Sequence, residues 1–445
     1  MGKSKLSKAA CWVALACLVV PMFGSYFFDD MFSTVSHLFK NPAALELGWN
    51  SADLGNFIGD YSLLCVCGGL IVGGILLDIF GVRIMGSVFV AMMVIGAGLA
   101  YYGVAGGLPK DSAIAIGRVG RMMFGLGSEI AGVAVTRSIA KWFKDGNMSF
   151  AMGLQLAIAR AGTGLALILA PFIVGVPKDF YSLSDTARPA LVGLALLVVG
   201  AFVWAIFVGL DATKDAADGV SFKRGEVTEE NRFSFKDIFS LLRNPRFVMI
   251  GLLCVTFYCC VSSFKKFGTS VVIPRFGIED SIAGTMVSMI PFFTIIFTPL
   301  FGAMVDRMGH ATRWMIVGSI SVLAGHLIIA FAPMDVKAFG FIGIALLGLG
   351  YSLVPSAMWP SVPKIVPEKN LGTAYSLIYW IQNVGLFFVP KAVGRIFAAG
   401  YEPLAAVSRV EWIFVTLGII AVAIAILLRR SSSLHPELHL DTKNN

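Results

Sequence analysis

Long apolar runs alternate with short polar breaks along the whole chain. Runs near 9–36, 52–77, 82–107, 112–142, 147–175 and 187–210 precede a polar stretch from Asp211 to about Asn244. A second set follows near 246–274, 281–305, 311–333, 338–363, 370–396 and 407–429. Each run is long enough to cross a bilayer, which takes roughly 20 apolar residues. Lipid offers no partner for backbone polar groups, so each run predicts a helix. The pattern therefore predicts an all-α membrane protein with twelve transmembrane helices in two six-helix bundles, over 1–210 and 246–430. A linker spans 211–245 and a tail spans 431–445. The linker ends in FSFKDIFSLLRNPRF (233–247), where Phe235, Ile238, Phe239, Leu241 and Leu242 give two readings. One is an amphipathic helix at the membrane surface, and the other is an extension of the seventh span.

Composition agrees with the pattern. Charged residues make up 14% of the chain and hydrophobic residues 57%, whereas a soluble domain carries roughly 25% charged residues. The net charge of +8 is explained by Lys and Arg gathered in the loops of one side, not by a nucleic-acid partner. With both termini and the linker on that side, the positive-inside rule makes it cytoplasmic. The sequon Asn147-Met148-Ser149 then lies inside and unglycosylated. Lys3 and Lys5 precede the first run, but no small-residue cleavage site follows it, which predicts a retained helix. The seven cysteines lie within apolar runs without metal-ligand spacing, so neither a zinc site nor a disulfide framework is expected. No nucleophile–base set, phosphate loop or cofactor motif argues for an enzyme. The expected partners are the bilayer and a small-molecule substrate, with the chain monomeric.

The two halves repeat. GGILLDIFGVR (73–83) after the second span matches FGAMVDRMGHA (301–311) after the eighth, with Gly74, Asp78 and Gly81 aligned on Gly302, Asp306 and Gly309. A longer match runs from Gly125 and from Gly348. It pairs Gly127 with Gly350, Ala134 with Ala357, Ser138 with Ser361, Lys141 with Lys364 and Gly162 with Gly385 at one constant offset. Parallel repeats of this kind place a substrate site near the midplane, between the halves. The six-plus-six layout with G-x-x-x-D-x-x-G in both halves resembles the major facilitator superfamily, and GRMMFGLGSE (120–129) resembles that family's fourth-helix pattern. The resemblance implies alternating access. Gly74, Gly81, Gly302 and Gly309 would allow close helix contact between the rocking bundles. Asp78 and Asp306 would meet a helix N-terminus or the loop arginines Arg83 and Arg307. Arg121 divides between conformational coupling and a structural role.

Ionisable groups at bilayer depth cost roughly 2.5–3.5 kcal/mol or more, so each is a functional candidate. Glu129 and Arg160 stand nearly the same number of residues before and after the turn at Asp145. At 1.5 Å per residue both fall about 22–24 Å from that turn, near the midplane on adjacent antiparallel helices. Their repeat counterparts are the uncharged Ser352 and Asn383. A carboxylate and a guanidinium at one depth suit a zwitterion, its amine on Glu129 and its carboxylate gripped by Arg160. The competing reading is a structural salt bridge between the two helices. His326 reads as a packed polar residue. Tyr26, Tyr375, Tyr379 and Trp380 read as cavity aromatics or interface anchors, with the cavity favoured for Tyr379 and Trp380.

FGSYFFDD (23–30), GLQLAIAR (153–160) and LGTAYSLIYWIQNVG (371–385) are similar to a subgroup of lysosomal dipeptide transporters with bacterial relatives. That resemblance implies dipeptide transport, with Glu129 for the amine and Arg160 for the carboxylate. Trp359, Gln382 and Asn383 would sit in the C-terminal half of the site. The chain departs from the subgroup at Asp29-Asp30-Met31, Val135-Thr136, Arg137 and Lys265-Lys266. Lys266 or its neighbour is read as a second carboxylate contact or as a lysine snorkelling to the surface. An E-x-x-E-R pattern of proton-coupled peptide transporters is absent from the first span, which favours facilitated or weakly proton-linked movement. The alternative function is a proton-linked transporter of organic anions, with the proton on Glu129. A non-transporting sensor or scaffold has no output domain to support it. Short external loops without a sequon favour a bacterial plasma membrane over a lysosome.

Overall fold

The computed structural model describes residues 8–34, 48–105, 107–143, 148–175, 182–218, 235–334, 336–366, 371–435 and 440–441. Among these residues the chain is helical throughout and contains no strand. The N-terminal half holds Lys8–Thr34 (α1), Ser51–Leu77 (α2), Ile79–Ala105 (α3), Lys110–Trp142 (α4), Met148–Val174 (α5) and Leu183–Asp218 (α6). A short helix, Phe235–Arg243 (α7), precedes the second half. That half holds Pro245–Phe276 (α8), Asp280–Met308 (α9), Ala311–Phe331 (α10), Lys337–Ile365 (α11), Leu371–Ala398 (α12) and Pro403–Leu434 (α13). Ten of these helices are long and apolar enough to span a membrane. Apart from the short α7, the other two, α4 and α12, are 33 and 28 residues long and hold charges at depth, among them Arg121, Glu129 and Lys391.

Local chemistry sets the helix ends. Asn50 caps α2: its Oδ1 accepts from the Ala52 and Asp53 N–H groups at 2.9 Å, and Asp53 Oδ2 accepts from the Asn50 N–H at 3.0 Å. Such a reciprocal pair satisfies backbone donors that the first turn leaves open. Asn244 caps α8 from one side only, its Oδ1 accepting from the Arg246 and Phe247 N–H groups, with Pro245 at the first helical position. That cap ends α7, so the linker segment forms a helix of its own, not an extension of the seventh span. Leu241 of α7 is buried, while Phe239 and Leu242 face outward.

The repeat glycines divide into two kinds. Gly81 has φ 77°, ψ 165° and Gly309 has φ 68°, ψ −148°. Only glycine visits this region without strain; Gly81 kinks the chain in the first turn of α3, and Gly309 separates α9 from α10. Gly74 and Gly302 behave differently. Among the described residues, nothing lies within 4 Å of a Cβ built on either, so the close contact expected of them is not made in this conformation. The seams inside each half do use small residues. A Cβ on Gly127 would lie 2.6 Å from the Met93 nitrogen, and one on its counterpart Gly350 would lie 2.6 Å from the Gly318 carbonyl oxygen.

Twelve antiparallel passes return the chain to the side on which it starts, called here the terminal side. On the far side the halves are locked together. Lys265 and Lys266 of α8 pair with Asp30 and Asp29 of α1, and Thr269 donates to the Ser33 carbonyl at 3.2 Å. A Cβ on Gly55 of α2 would lie 2.7 Å from the Pro390 carbonyl oxygen of α12. Near mid-depth, Trp380 Nε1 donates to the Val66 carbonyl at 2.8 Å. On the terminal side, the ion pairs recorded among the described residues stay within a half. Arg83 and Lys141 hold Asp215 at 2.8 and 2.7 Å, and Lys141 holds Asp211 at 2.8 Å. The open space at Gly74 and Gly302 lies on this same side. The molecule is shut on the far side and parted on the terminal side.

Candidate functional site

The parting between the halves leads to a cavity of about 380 Å³ at mid-depth. Helices from both halves wall it. Tyr26 comes from α1, Glu129 from α4, and Arg160 and Thr163 from α5. Tyr258, Ser262 and Lys265 come from α8, Tyr351 and Trp359 from α11, and Tyr379 and Gln382 from α12. A π-helical turn at Cys259–Ser263 interrupts α8 where it borders the cavity, and such bulges often occur at functional sites. A second cavity of about 150 Å³ adjoins on the far side and shares Tyr26, Glu129, Ser262, Lys265 and Tyr351 with the first.

Glu129 and Arg160 line the larger cavity together, as their depth in the sequence predicts, but they form no salt bridge with each other. Glu129 Oε1 accepts a hydrogen bond from the Tyr61 hydroxyl at 3.0 Å and has no basic partner among the described residues. The Arg160 guanidinium lies over the Tyr351 ring, 5.2 Å from its centroid, and its Nε is buried without a hydrogen-bond partner. Tyr351 is in turn fixed by a 3.0 Å hydrogen bond between its hydroxyl and that of Ser262. Two opposite charges therefore face one cavity, held by neutral groups.

The opposite wall is aromatic. Trp359 and Tyr379 stack at 5.0 Å with an interplanar angle of 26°. Trp359 Nε1 donates to the Tyr258 hydroxyl at 3.2 Å, which fixes the indole. Tyr379 is 43% exposed. Gln382 lines the cavity, and its Oε1 accepts from the Cys254 thiol at 3.4 Å. Asn383 is turned away: it is buried outside the lining, and its amide donates to the Tyr379 carbonyl at 3.0 Å. Trp380, read as a cavity aromatic, instead joins α12 to α2 through Val66. One helical step of about 100° separates each from a lining neighbour.

Lys265 and Lys266 do not snorkel. Their side chains are 13% and 11% exposed. Lys265 Nζ lies 2.8 Å from Asp30, and Lys266 Nζ lies 2.6 Å from both Asp29 and Asp30. Carboxylates on the facing helix offer these ammonium groups a nearer partner than the membrane surface. Lys266 borders only the smaller cavity, whereas Lys265 borders both. Arg121 also binds Asp29, beneath the rings of Phe57, Tyr61 and Phe124, and Thr163 donates to Asp30 at 2.6 Å.

Of the other residues expected to act in gating, Arg83 is held by Asp211 and Asp215 at the end of α6. The Asp78 side chain lies outside the described residues. Asp306 and Arg307 are exposed at the end of α9. The matching turn in this half, Gly309–His310, is held by Asp441. Its carboxylate accepts from the Thr312 N–H and hydroxyl at 2.9 Å, and its carbonyl accepts from the His310 N–H at 2.8 Å.

Two charged groupings escaped the sequence reading. Asp60 of α2, fully buried, binds Arg118 of its own half and Lys391 of the other. His326, a packed polar residue as expected, pairs with Glu411 at 2.9 Å inside the second half. The available signal was a lone acidic residue inside an apolar run, which Asp60 and Glu411 both provide.

The profile of the Major Facilitator Superfamily matches residues 22–390 and 267–440. A lysosomal dipeptide transporter, MFSD1, of Danio rerio is 29% identical over 390 residues, covering 84% of this chain and 78% of that protein. The Homo sapiens protein of the same name is 28% identical over 409 residues, covering 88% and 81%. Among solved structures, the partially occluded inward open conformation of the xylose transporter XylE from E. coli superposes with a TM-score of 0.68. It shares 13% identity and covers 95% of this chain and 98% of that one. Twelve helices in two repeated halves, a cavity between them and the profile match along nearly the whole length agree: this chain belongs to the major facilitator superfamily.

Proposed function

We propose that this transporter carries dipeptides or similar small zwitterions by alternating access. The observation that carries the reading is the pair of uncompensated charges in one cavity. Among the described residues, Glu129 has no basic partner and Arg160 no acidic one. A buried charge without a counter-ion is costly, and a substrate bearing an amine and a carboxylate neutralises both at once. The relatives named as dipeptide transporters support the same substrate class.

In this reading the terminal side faces the cytoplasm, following the basic residues. Substrate leaves or enters there while the far side is shut by Asp29 with Lys266, Asp30 with Lys265, and Asp60 with Lys391. Opening the far side breaks these pairs and brings the faces bearing Gly74 and Gly302 together. Arg83, Asp78, Asp306 and Arg307 then act at the terminal-side seam. Movement in this reading is facilitated or weakly proton-linked.

A thermal-shift panel of dipeptides, amino acids and organic acids on the purified protein tests this, because a ligand that binds the folded state stabilises it by mass action. Stabilisation by free-ended dipeptides supports the proposal. Stabilisation by organic acids alone transfers support to an organic-anion carrier with Glu129 as the proton site.

A further inference from the structure

The two charges assigned to the substrate ends lie on adjacent helices of one half, α4 and α5. A zwitterion held between them presents its side chains to the other half, because the cavity lies between the halves. The wall it meets there includes Tyr258, Tyr351, Trp359, Tyr379 and Gln382, beside smaller apolar and hydroxyl side chains of α8, α9 and α11. Among the described residues it contains no carboxylate, and its one cation, Lys265, is already held by Asp30 at 2.8 Å.

From this wall we infer that the substrate side chain is selected by an aromatic platform, Tyr379 stacked on Trp359, which favours flat aromatic side chains and disfavours charged ones. The inference rests on the zwitterion reading and refines it. The indole is fixed from behind by Tyr258, and the Tyr375 ring lies 5.9 Å from it on another flank. The platform is therefore rigid before substrate arrives, and Tyr379 is its open member. Aromatic pairs prefer offset stacking and gain beyond simple burial. A charged side chain in the same place would lose water and find no counter-ion. Gln382 and the tyrosine hydroxyls supply hydrogen bonds for neutral polar side chains. Because the platform belongs to the half opposite the anchors, it presses on the substrate as the halves close. Discrimination then appears in turnover as well as in binding.

The test is competition for uptake in proteoliposomes by Ala-Ala, Phe-Ala, Tyr-Ala, Lys-Ala and Glu-Ala. These share the same free ends. Phe-Ala and Tyr-Ala should compete about three- to tenfold better than Ala-Ala, and Lys-Ala and Glu-Ala worse. Tyr379→Ala should bring the Phe-Ala to Ala-Ala ratio close to one, while Tyr379→Phe keeps it. The series on the unmodified protein decides the matter even where the alanine variant fails to fold. Equal competition by charged and aromatic dipeptides, or an unchanged ratio in Tyr379→Ala, overturns the platform while leaving the zwitterion reading intact. If Ala-Ala is neither carried nor competes, the zwitterion reading fails, and this inference with it.

Discussion

Glu129 and Arg160 border one cavity from adjacent helices, yet neither is the other's partner. Tyr61 donates to the first and the Tyr351 ring supports the second. A structural salt bridge would have consumed both charges. Held apart by neutral groups, both remain available to a ligand.

Loss of either charge should therefore cost transport without costing the fold. A hydrogen bond to a charged group is worth about 1.5–3 kcal/mol. Glu129→Gln and Arg160→Ala are thus each expected to lower dipeptide uptake about 10- to 100-fold at normal membrane levels. Arg160→Lys should recover part of the loss, since it keeps the charge but not the two-pronged geometry. Unchanged uptake in both Glu129→Gln and Arg160→Ala would remove these residues from the site.

Capping the substrate separates the two roles. N-acetylation removes the amine, and C-amidation removes the carboxylate. Acetylated dipeptide should compete poorly with the unmodified protein, and acetylation should carry little further penalty in Glu129→Gln. Amidation should behave the same way with Arg160→Ala. A double-mutant-style comparison of the four competition constants reads this directly. Independent, additive losses would show that each residue acts elsewhere.

The far-side closure is electrostatic and open to measurement. Removing one member of a buried ion pair leaves an uncompensated charge, a loss of about 3–5 kcal/mol. Water reaching Asp29 and Asp30 in a conformation open on the far side relieves it. The double substitution Lys265→Met and Lys266→Met should thus shift the population towards that conformation. Spin labels at Ala52 and Ala399, on the far-side ends of opposite halves, should report longer distances. A distance distribution unchanged from the unmodified protein would assign closure to the tight α2–α12 packing alone.

The two kinds of repeat glycine should respond differently to alanine. Gly81 and Gly309 adopt positive φ, so Gly81→Ala and Gly309→Ala each force a strained backbone at about 1–3 kcal/mol. Both should lower the melting temperature. Gly74 and Gly302 have open space around them here. Gly74→Ala and Gly302→Ala should leave thermal stability nearly unchanged and slow transport, by obstructing the seam that must close. Equal destabilisation by all four substitutions would contradict this division.

The helices and the repeat were legible because both are local patterns: apolar run length and aligned motifs need no partner to be recognised. Glu129 and Arg160 were legible for a related reason, since a charge inside an apolar run is conspicuous and its depth follows from counting residues. Pairing was harder. Lys391 finds Asp60 across 331 residues of sequence, and no local pattern announces that meeting. The direction of Lys265 and Lys266 depended on which carboxylates α1 presents to α8, so snorkelling and pairing looked alike until the halves were docked. Gln382 and Asn383 differ by one helical step. Which of them faces the cavity was set by packing against α2 and α8, not by residue type.

The docking of Asp441 on the Gly309–His310 turn has a practical side. This residue clasps the start of α10 through three hydrogen bonds, and a fourth, from Ser432 at 3.0 Å, steadies its carboxylate. Asp441 thus ties its part of the chain to the turn between α9 and α10. Affinity tags and fluorescent fusions are customarily attached at this end of a membrane protein. Here such an attachment loads the turn between α9 and α10, so kinetic comparisons between variants belong on chains tagged at one common position, with Asp441→Ala as the reference for an untethered turn.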